Sequence, residues 1–378
     1  GVQTCAFDLR DYLYYGAFMT DPTNLETASG WLFFTRIITH YCAPVFVFLA
    51  GTAAFLFGQK QESPGQLRRF LISRGIWLII LDITINTFFW SFDIQMTWIN
   101  FQVLWAIGFS MICLAALSYL PLRFILGAGL LLVFGHDLLN GIRMDGQGFL
   151  DVVWYLLHQN WLIFVNDGAR AITFSYPVLP WIGVMALGYG LGYLYQSGFP
   201  QSERKKRLIQ IGGAAVMLFF LIRGINVYGD PAPWEFQATI GQTIMSFFKV
   251  SKYPPSLQYL LMTLGPALLF LAFSEKWKNS LTDKLLIFGR VPLFYYLLHV
   301  LVIHGIAIIL LAIQGKDISP MILDGPSILN ANAYDGYGYN LGIVYLIWIS
   351  VVVALYPVCK WYQGYKARNR DKLWLKYL

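Results

Sequence analysis

The stretch "FGRVPLFYYLLHVLVIHGIAIILLAI", residues 288–313, decides the fold class. It contains no acidic residue and no lysine, and a helix needs about 20 mostly apolar residues to cross a bilayer. Other stretches have a similar length and character, so the chain is predicted to cross a membrane repeatedly. The predicted spans run over 33–57, 72–91, 100–120, 121–137, 175–196, 207–224, 254–273, 288–313 and 341–359.

The composition as a whole agrees with a membrane protein. Of the 378 residues, 57% are hydrophobic and only 12% are charged, which is far from the usage of soluble domains. The net charge of +7 does not indicate nucleic-acid binding, because Lys and Arg are spread over short segments between apolar stretches. We therefore expect membrane lipid as a partner and no nucleic acid, and the sequence leaves a homo-oligomer open.

The predicted fold class is all-α, a polytopic transmembrane helix bundle of about ten spans. Residues 1–7 are too short to cross a bilayer, yet they are mostly apolar up to Asp8. We interpret them as the end of a first, truncated span. A single transmembrane domain over residues 1–378 is the simplest architecture.

Lys and Arg in the loops predict the orientation. Nineteen of the 27 lie in basic segments that alternate with poorer ones, at 58–74, 121–123, 197–207, 274–290 and 360–378. The positive-inside rule places these segments and both termini in the cytoplasm. A bacterial inner membrane is expected from the resemblance given below. The polar segments expected outside are 8–32, 136–174, 225–253 and 314–340. Within them, residues 149–164 are predicted to form a helix along the outer surface.

Polar residues inside the predicted spans are the first candidates for a site. Asp82, Asn86 and Trp90 recur at four-residue intervals and share one helix face. Burying such groups in a membrane is costly without a partner or a water-filled cavity. The stripe therefore either lines a substrate path or holds neighbouring helices together, and both interpretations stay open. Arg36 and His40, one turn apart in 33–57, point to the same region.

Two histidines lie in the stretch 288–313. His299 follows Tyr295 by one helical turn, which favours a proton-transfer or substrate-binding pair over a satisfied core histidine by a small margin. His304 is about 140° further around the helix, so the two cannot act together as zinc ligands. No CxxC spacing is present, and no metal is expected.

Two outer segments present charged and aromatic groups among Gly and Pro. "RGINVYGDPAPW" (223–234) contains Asn226, Asp230 and Trp234, and "KVSKYPPSLQYLLMTLGP" (249–266) contains Lys252 and Tyr253. Rigid turns of this kind are typical of sugar-binding loops, although a tight cap that ties helix ends together is a real alternative. "GYGLG" (188–192) follows no strand, and we interpret it as small-residue helix packing.

Long motifs with polar, aromatic and proline residues recur along nearly the whole chain. They are "FFTRIITHYCAPVFVFLAGTAAFL" (33–56), "FLISRGIWLIILDITIN" (70–86), "VLWAIGFSMICLA" (103–115), "FGHDLLNGI" (134–142), "YPVLPWIGVMALGYGLG" (176–192), "LIRGINVYGDPAPW" (221–234), "SKYPPSLQYLLMTLGP" (251–266) and "FGRVPLFYYLLHVLVIHG" (288–305). In this order they resemble the bacterial DUF1624 membrane proteins. That family is grouped with the catalytic domain of heparan-alpha-glucosaminide N-acetyltransferase, among the transmembrane acyltransferases.

The resemblance implies an enzyme that transfers an acyl group, acetyl in the first instance, from cytoplasmic acetyl-CoA to a small-molecule or glycan acceptor outside. At the end of its first helix the family pattern is similar to A-x-D-H-x-R-D-Y, with the histidine as catalytic residue. Here residues 6–12 read "AFDLRDY", one residue short. Either the chain lacks this histidine, or a residue is missing from the printed sequence; the second is favoured because a deletion would rotate the preceding helix by about 100°.

The candidate catalytic residues are Asp8, which would orient a base, and His40 and His299, which would replace the absent histidine. The family more often shows H-N-L-L-D where this chain has "HDLLN" (136–140), so Asp137 is not carried over. The residues predicted to bind substrate are Arg10, Asp11, Arg36, Asp82, Asn86, His136, Asn226, Asp230, Trp234, Lys252, Tyr253 and Tyr295.

Four arginines of the basic segments, Arg68, Arg69, Arg74 and Arg290, are candidates for binding the phosphates of CoA. The positive-inside rule explains them equally well. A transporter or flippase of a sugar or lipid-linked substrate is the main alternative function, because it would also require a polar stripe and a basic inner face. An accessory subunit of a membrane complex is the third.

Overall fold

The computed structural model of the protein describes residues 23–26, 28–325, 338–369, 372 and 375. The predicted first span lies outside the described residues, and so do Asp8, Arg10 and Asp11. In chain order the described helices are α1 (Gly30–His40), α2 (Cys42–Gly58), α3 (Pro64–Leu81), α4 (Thr87–Ser91), α5 (Val103–Leu117), α6 (Leu122–Gly135), α7 (Phe149–Leu157), α8 (Leu179–Gly192), α9 (Gln201–Ile225), α10 (Ile240–Phe248), α11 (Leu257–Ser274), α12 (Ser280–Arg290), α13 (Pro292–Ile313) and α14 (Leu341–Arg368).

The all-α polytopic fold is confirmed, and each of the nine predicted spans between 33 and 359 coincides with a helix. Among the described residues, seven helical segments are long and apolar enough to cross a membrane: Gly30–Gly58, Pro64–Ser91, Leu122–Leu139, Gln201–Ile225, Leu257–Ser274, Pro292–Ile313 and Leu341–Arg368. The other two predicted spans are the shorter helices α5, with 15 residues, and α8, with 14. The protein is therefore an integral membrane protein.

Helix α8 lies at the centre of the larger hydrophobic core and packs against α2, α5 and α6. A second core joins α12, α13 and α14. Helices α5, α8 and α11 begin at the end of the bundle where a small β-sheet lies. We call this end the sheet end. The opposite end, where α3 and α9 carry basic residues near their N-termini, is called the basic end.

Glycines allow the central helices to touch. A Cβ atom on Gly188 of α8 would overlap the backbone carbonyl of Phe48 in α2, and Thr52 Oγ1 donates a hydrogen bond to the Gly188 carbonyl oxygen (2.9 Å). Gly75 of α3 and Gly108 of α5 make a similar backbone contact. Such close approach lets buried backbone and hydroxyl groups bond between helices. The interpretation of "GYGLG" as helix packing is thus confirmed.

A three-stranded sheet covers the sheet end and was not expected from the sequence. Its strands are β1 (Trp98–Phe101), β2 (Trp161–Val165) and β3 (Arg170–Phe174), in the order β1-β3-β2. β3 pairs parallel with β1 and antiparallel with β2. Because β1 leads into α5 after a single residue, Gln102, the sheet fixes where that helix begins.

The predicted surface helix over 149–164 is wrong in its second half. Helix α7 ends at Leu157, and "WLIFV" forms strand β2 instead. The residues after it, Asn166, Asp167 and Gly168, have positive φ angles of 53°, 54° and 87°. This tight reversal brings β3 alongside β2, and the branched and aromatic side chains of "WLIFV" suit a pleated, half-buried surface.

Candidate active site

A loop between α10 and α11 presents the first two residues of the candidate site. Lys252 is 8% exposed, and its Nζ lies 4.8 Å from the ring centroid of Tyr253 and 5.9 Å from that of Tyr176. The hydroxyl of Tyr253 hydrogen-bonds with the side chains of both Lys252 and Tyr176. The loop therefore inserts a cation and a phenol side by side beneath the sheet end.

Helices α1 and α11 complete this group. The Tyr259 hydroxyl donates to the His40 carbonyl oxygen (2.7 Å), and the two rings are 5.2 Å apart. Arg36 interacts electrostatically with Lys252 and Tyr253. We call the set Arg36, His40, Tyr176, Lys252, Tyr253 and Tyr259 the tyrosine–cation cluster. It brings together four residues that were predicted from the sequence to belong to the site, namely Arg36, His40, Lys252 and Tyr253.

The charges in the cluster act on its proton-bearing groups. Burial, helped by the nearby Arg36 guanidinium, lowers the pKa of Lys252. Burial alone would raise the pKa of Tyr253, but the positive charges of Lys252 and Arg36 outweigh it, and the pKa of Tyr253 lies below its ordinary value. Lys252 and Tyr253 are therefore neighbours that both lose a proton more easily than they would in water.

Trp181 adds a hydrogen-bond donor next to the cluster. It is fully buried in α8, and its ring centroid lies 5.7 Å from that of Tyr176. The indole Nε1 has no hydrogen-bond partner among the residues that the structure describes. A buried N–H is rarely left unpaired, so this donor is suited to a group that a substrate brings.

His299 reaches the cluster through a tyrosine. It is fully buried, and its ring stacks on that of Tyr295 at 5.0 Å. On its other side lies Tyr296, with ring centroids 5.6 Å apart, and Tyr296 interacts electrostatically with Tyr176. The predicted pairing of His299 with Tyr295 therefore exists in space, as a ring stack next to the cluster.

The hydrogen bonds of the histidines separate potential bases from fixed donors. Nδ1 of His40 donates to the Arg36 carbonyl oxygen (2.6 Å), and Nδ1 of His299 donates to the Tyr295 carbonyl oxygen (2.9 Å). In the neutral form of each, the acceptor lone pair is then on Nε2. His304 instead has both ring nitrogens against carbonyl oxygens, at 3.0 and 2.7 Å. The neutral ring of His299 therefore carries its lone pair at Nε2, whereas His304 has a carbonyl oxygen at each ring nitrogen.

Asp82 holds the start of a helix. It opens a π-helical segment, Asp82–Asn86, between α3 and α4. One carboxylate oxygen accepts from the backbone N–H groups of Gln102 (2.8 Å) and Trp105 (3.0 Å), and the other accepts from Asn86 Nδ2 (2.7 Å). A carboxylate on a helix N-terminus is well stabilised. This geometry favours the interpretation in which the polar stripe that begins at Asp82 holds neighbouring helices together. The buried Oδ1 of Asn86 has no hydrogen-bond partner in the described part of the chain.

His136 and its neighbour Asp137 support the loop that carries Lys252. His136 Nε2 lies 2.9 Å from the Pro255 carbonyl oxygen, and Asp137 accepts from the backbone N–H of Leu257 (2.9 Å) at the start of α11. Nδ1 of His136 also faces a carbonyl oxygen, that of Leu132, at 2.9 Å. Both side chains therefore fix backbone positions.

The segment 223–256 forms a tightly bonded cap. Asn226 and Trp234 exchange two hydrogen bonds (2.8 and 3.0 Å), and Arg223 donates to four carbonyl oxygens of the segment. Asp230 accepts from Ser251 N (2.8 Å) and Ser256 Oγ (2.7 Å), which flank the Lys252 loop. The polar groups predicted here to bind substrate are bonded to the cap itself, in agreement with the alternative interpretation.

The four predicted phosphate-binding arginines lie away from the sheet end. Arg68 Nε donates to Ser118 Oγ (3.3 Å), and its guanidinium lies 3.6 Å from the Tyr119 ring centroid. Arg69 and Arg290 are exposed. Arg74 interacts electrostatically with Lys366 of α14.

The sequence analysis did not predict Tyr176, Trp181 and Tyr259 as site residues. Their signal was present in "YPVLPW" and "SLQY", where a tyrosine or tryptophan stands at a helix start beside proline or polar residues. In the described residues no group of three or more His, Cys, Asp or Glu side chains is placed to hold a metal ion.

Comparison with known protein families gives a match over much of the chain. The model of the family described as "Heparan-alpha-glucosaminide N-acetyltransferase, catalytic" matches residues 14–227, more than half of the chain. No curated protein and no solved structure matches significantly. The matched range includes Arg36, His40, Tyr176 and Trp181, whereas Lys252 and the residues after it lie beyond its end. The chain belongs to the family of the heparan-alpha-glucosaminide N-acetyltransferase catalytic domain, which indicates a membrane-bound acetyltransferase.

Proposed function

We propose that this protein transfers an acetyl group from acetyl-CoA, supplied at the basic end, to a hydroxyl or amine of a small-molecule or glycan acceptor at the sheet end. The observation that carries the proposal is the burial of Lys252 and Tyr253 beside Arg36, near the ring of His40 and the buried indole N–H of Trp181. Family membership supports the reaction class. We also propose one domain over 1–378, with the basic end and both termini in the cytoplasm of a bacterial cell.

The chemistry needs a base and an anion-stabilising group. The acceptor O–H or N–H attacks the thioester carbonyl carbon, its proton passes to a base, and the carbon–sulfur bond breaks as CoA leaves as a thiol. Nε2 of His40 or His299 is suited to take the proton. Positive charge at Lys252 and the indole N–H of Trp181 are suited to stabilise the negative charge that develops on the carbonyl oxygen.

Asp8, Arg10 and Asp11 keep their predicted role in this proposal. They would stand at the end of the first span, with Asp8 orienting a base and the other two contacting substrate. The arginines Arg68, Arg69, Arg74 and Arg290 are proposed only as a dispersed positive face that attracts acetyl-CoA.

Replacing Tyr253 by Phe tests the site. The substitution removes the hydroxyl that bonds with Lys252 and Tyr176, so we expect acetyl transfer from labelled acetyl-CoA to fall about 100-fold. The matched control is Tyr193→Phe, since Tyr193 is 45% exposed near the basic end, and it should keep full activity. If both variants are folded and have equal activity, the proposed active site is wrong.

The transporter alternative is distinguished by product. Vesicles that contain the purified protein should yield an acetylated acceptor only when acetyl-CoA is present. Movement of an unmodified sugar or lipid-linked substrate without acetyl-CoA, together with no turnover of any acyl-CoA, would replace the enzyme proposal by the transporter.

A further inference from the structure

A groove at the basic end lies between the N-terminal part of α12 and the C-terminal part of α14. Its volume is about 530 Å³. Lys278, Lys284 and Lys360 line it together with one acidic residue, Asp283, so the groove carries a net positive charge of two. None of the three lysines forms a salt bridge with a residue that the structure describes.

Aromatic and apolar residues place this groove at the level of lipid headgroups. Trp277, next to Lys278, is 55% exposed and packs edge-to-face on Phe270. Trp361, next to Lys360, is 60% exposed. Exposed tryptophans mark the membrane interface, and here one stands on each side of the groove.

Helix α12 has the character of an interfacial helix. Leu281, Leu285 and Leu286 are all about half or more exposed, whereas Ile287 and Phe288 are buried in the core of α13 and α14. Exposed leucines next to exposed lysines are typical of a helix that lies in the plane of the membrane surface. A lipid bound in the groove could extend its chains along these leucines while its headgroup faces the lysines.

We propose that the groove between α12 and α14 binds the phosphate headgroup of an anionic phospholipid through Lys278, Lys284 and Lys360. CoA also carries phosphates, but the exposed leucines that continue from the groove fit the acyl chains of a lipid. The bound lipid would anchor α12, and with it the start of α13, which carries His299.

Native mass spectrometry of the full-length protein in detergent tests the proposal. The protein is offered equal amounts of phosphatidylglycerol and phosphatidylcholine. We expect wild-type protein to retain phosphatidylglycerol preferentially, and Lys278→Gln/Lys284→Gln/Lys360→Gln to lower this preference by about fivefold or more. The three side chains are exposed, so folding should be retained, which the thermal midpoint checks.

A matched triple variant controls for general charge. Lys60, Lys205 and Lys206 are exposed lysines elsewhere at the basic end, and replacing all three by Gln removes the same charge; the preference should stay within about twofold of wild type. An equal loss in both triple variants, or no loss in the groove variant, would overturn the site. Displacement of phosphatidylglycerol by added CoA would reassign the lysines to CoA phosphates and also overturn the lipid proposal.

Discussion

Buried His158 at the sheet end should lower the stability of the protein in acid. His158 Nε2 donates to Asn140 Oδ1 (3.1 Å), and its buried Nδ1 has no partner among the described residues. Burial, with a contribution from nearby His136, lowers the pKa of His158 from 6.5 to about 4. The unfolded chain therefore binds this proton at a higher pH than the folded protein, and protonation favours unfolding.

Neutral His158 contributes on the order of 2–3 kcal/mol to the free energy of unfolding. This contribution is complete above about pH 6.5 and is lost as the pH falls towards 4. We predict that His158→Gln, whose amide can still donate to Asn140, flattens the fall of the thermal midpoint between pH 7 and pH 4. The control is Asp145→Asn, on an exposed residue of the same region, which should keep the wild-type pH dependence. A His158→Gln curve that runs parallel to wild type would refute the assignment.

Residue roles could be predicted from sequence only where the partner is close in the chain. The four-residue spacing placed Asp82 and Asn86 on one helix face, and in the structure their side chains are hydrogen-bonded there. The spacing could not show that Asp82 caps α5, because the N–H groups of Gln102 and Trp105 belong to the start of that helix, which the sheet positions. Likewise, Lys252 was recognised, but its neighbour Tyr176 enters from a distant segment, and only the fold brings the two together.

At the scale of elements, the contact between α2 and α8 should be the least tolerant of added volume. We predict that Gly188→Ala destabilises the protein by about 2–3 kcal/mol, because the new methyl group would meet the rigid Phe48 carbonyl. Gly213→Ala in α9 is the control, since nothing lies within 4 Å of a Cβ atom there, and alanine favours the helix by about 1 kcal/mol. Thermal unfolding in detergent measures both; equal midpoints would argue against this packing.

Elements were predictable where length and hydropathy alone decide them, as in the nine spans. The sheet was not, because "WLIFV" at 161–165 is as apolar as a helix end and continues the pattern of α7. What decides between helix and strand is the reversal at 166–168 and the pairing with β3. Local hydropathy contains no information about that pairing, so the predicted helix was several residues too long.

At the scale of the whole molecule, the distribution of charge predicts which end faces the cytoplasm. We expect the basic end inside, because it carries most of the lysines and arginines. In a cysteine-free background, Lys206→Cys at the basic end and Asp145→Cys at the sheet end both introduce thiols at exposed positions. A membrane-impermeant maleimide applied to spheroplasts should label Asp145→Cys at once and Lys206→Cys only after the membrane is permeabilised. The reverse labelling pattern would show that the sheet end, with the Tyr253 loop, faces the cytoplasm. Transfer to an external acceptor at that loop would then be excluded.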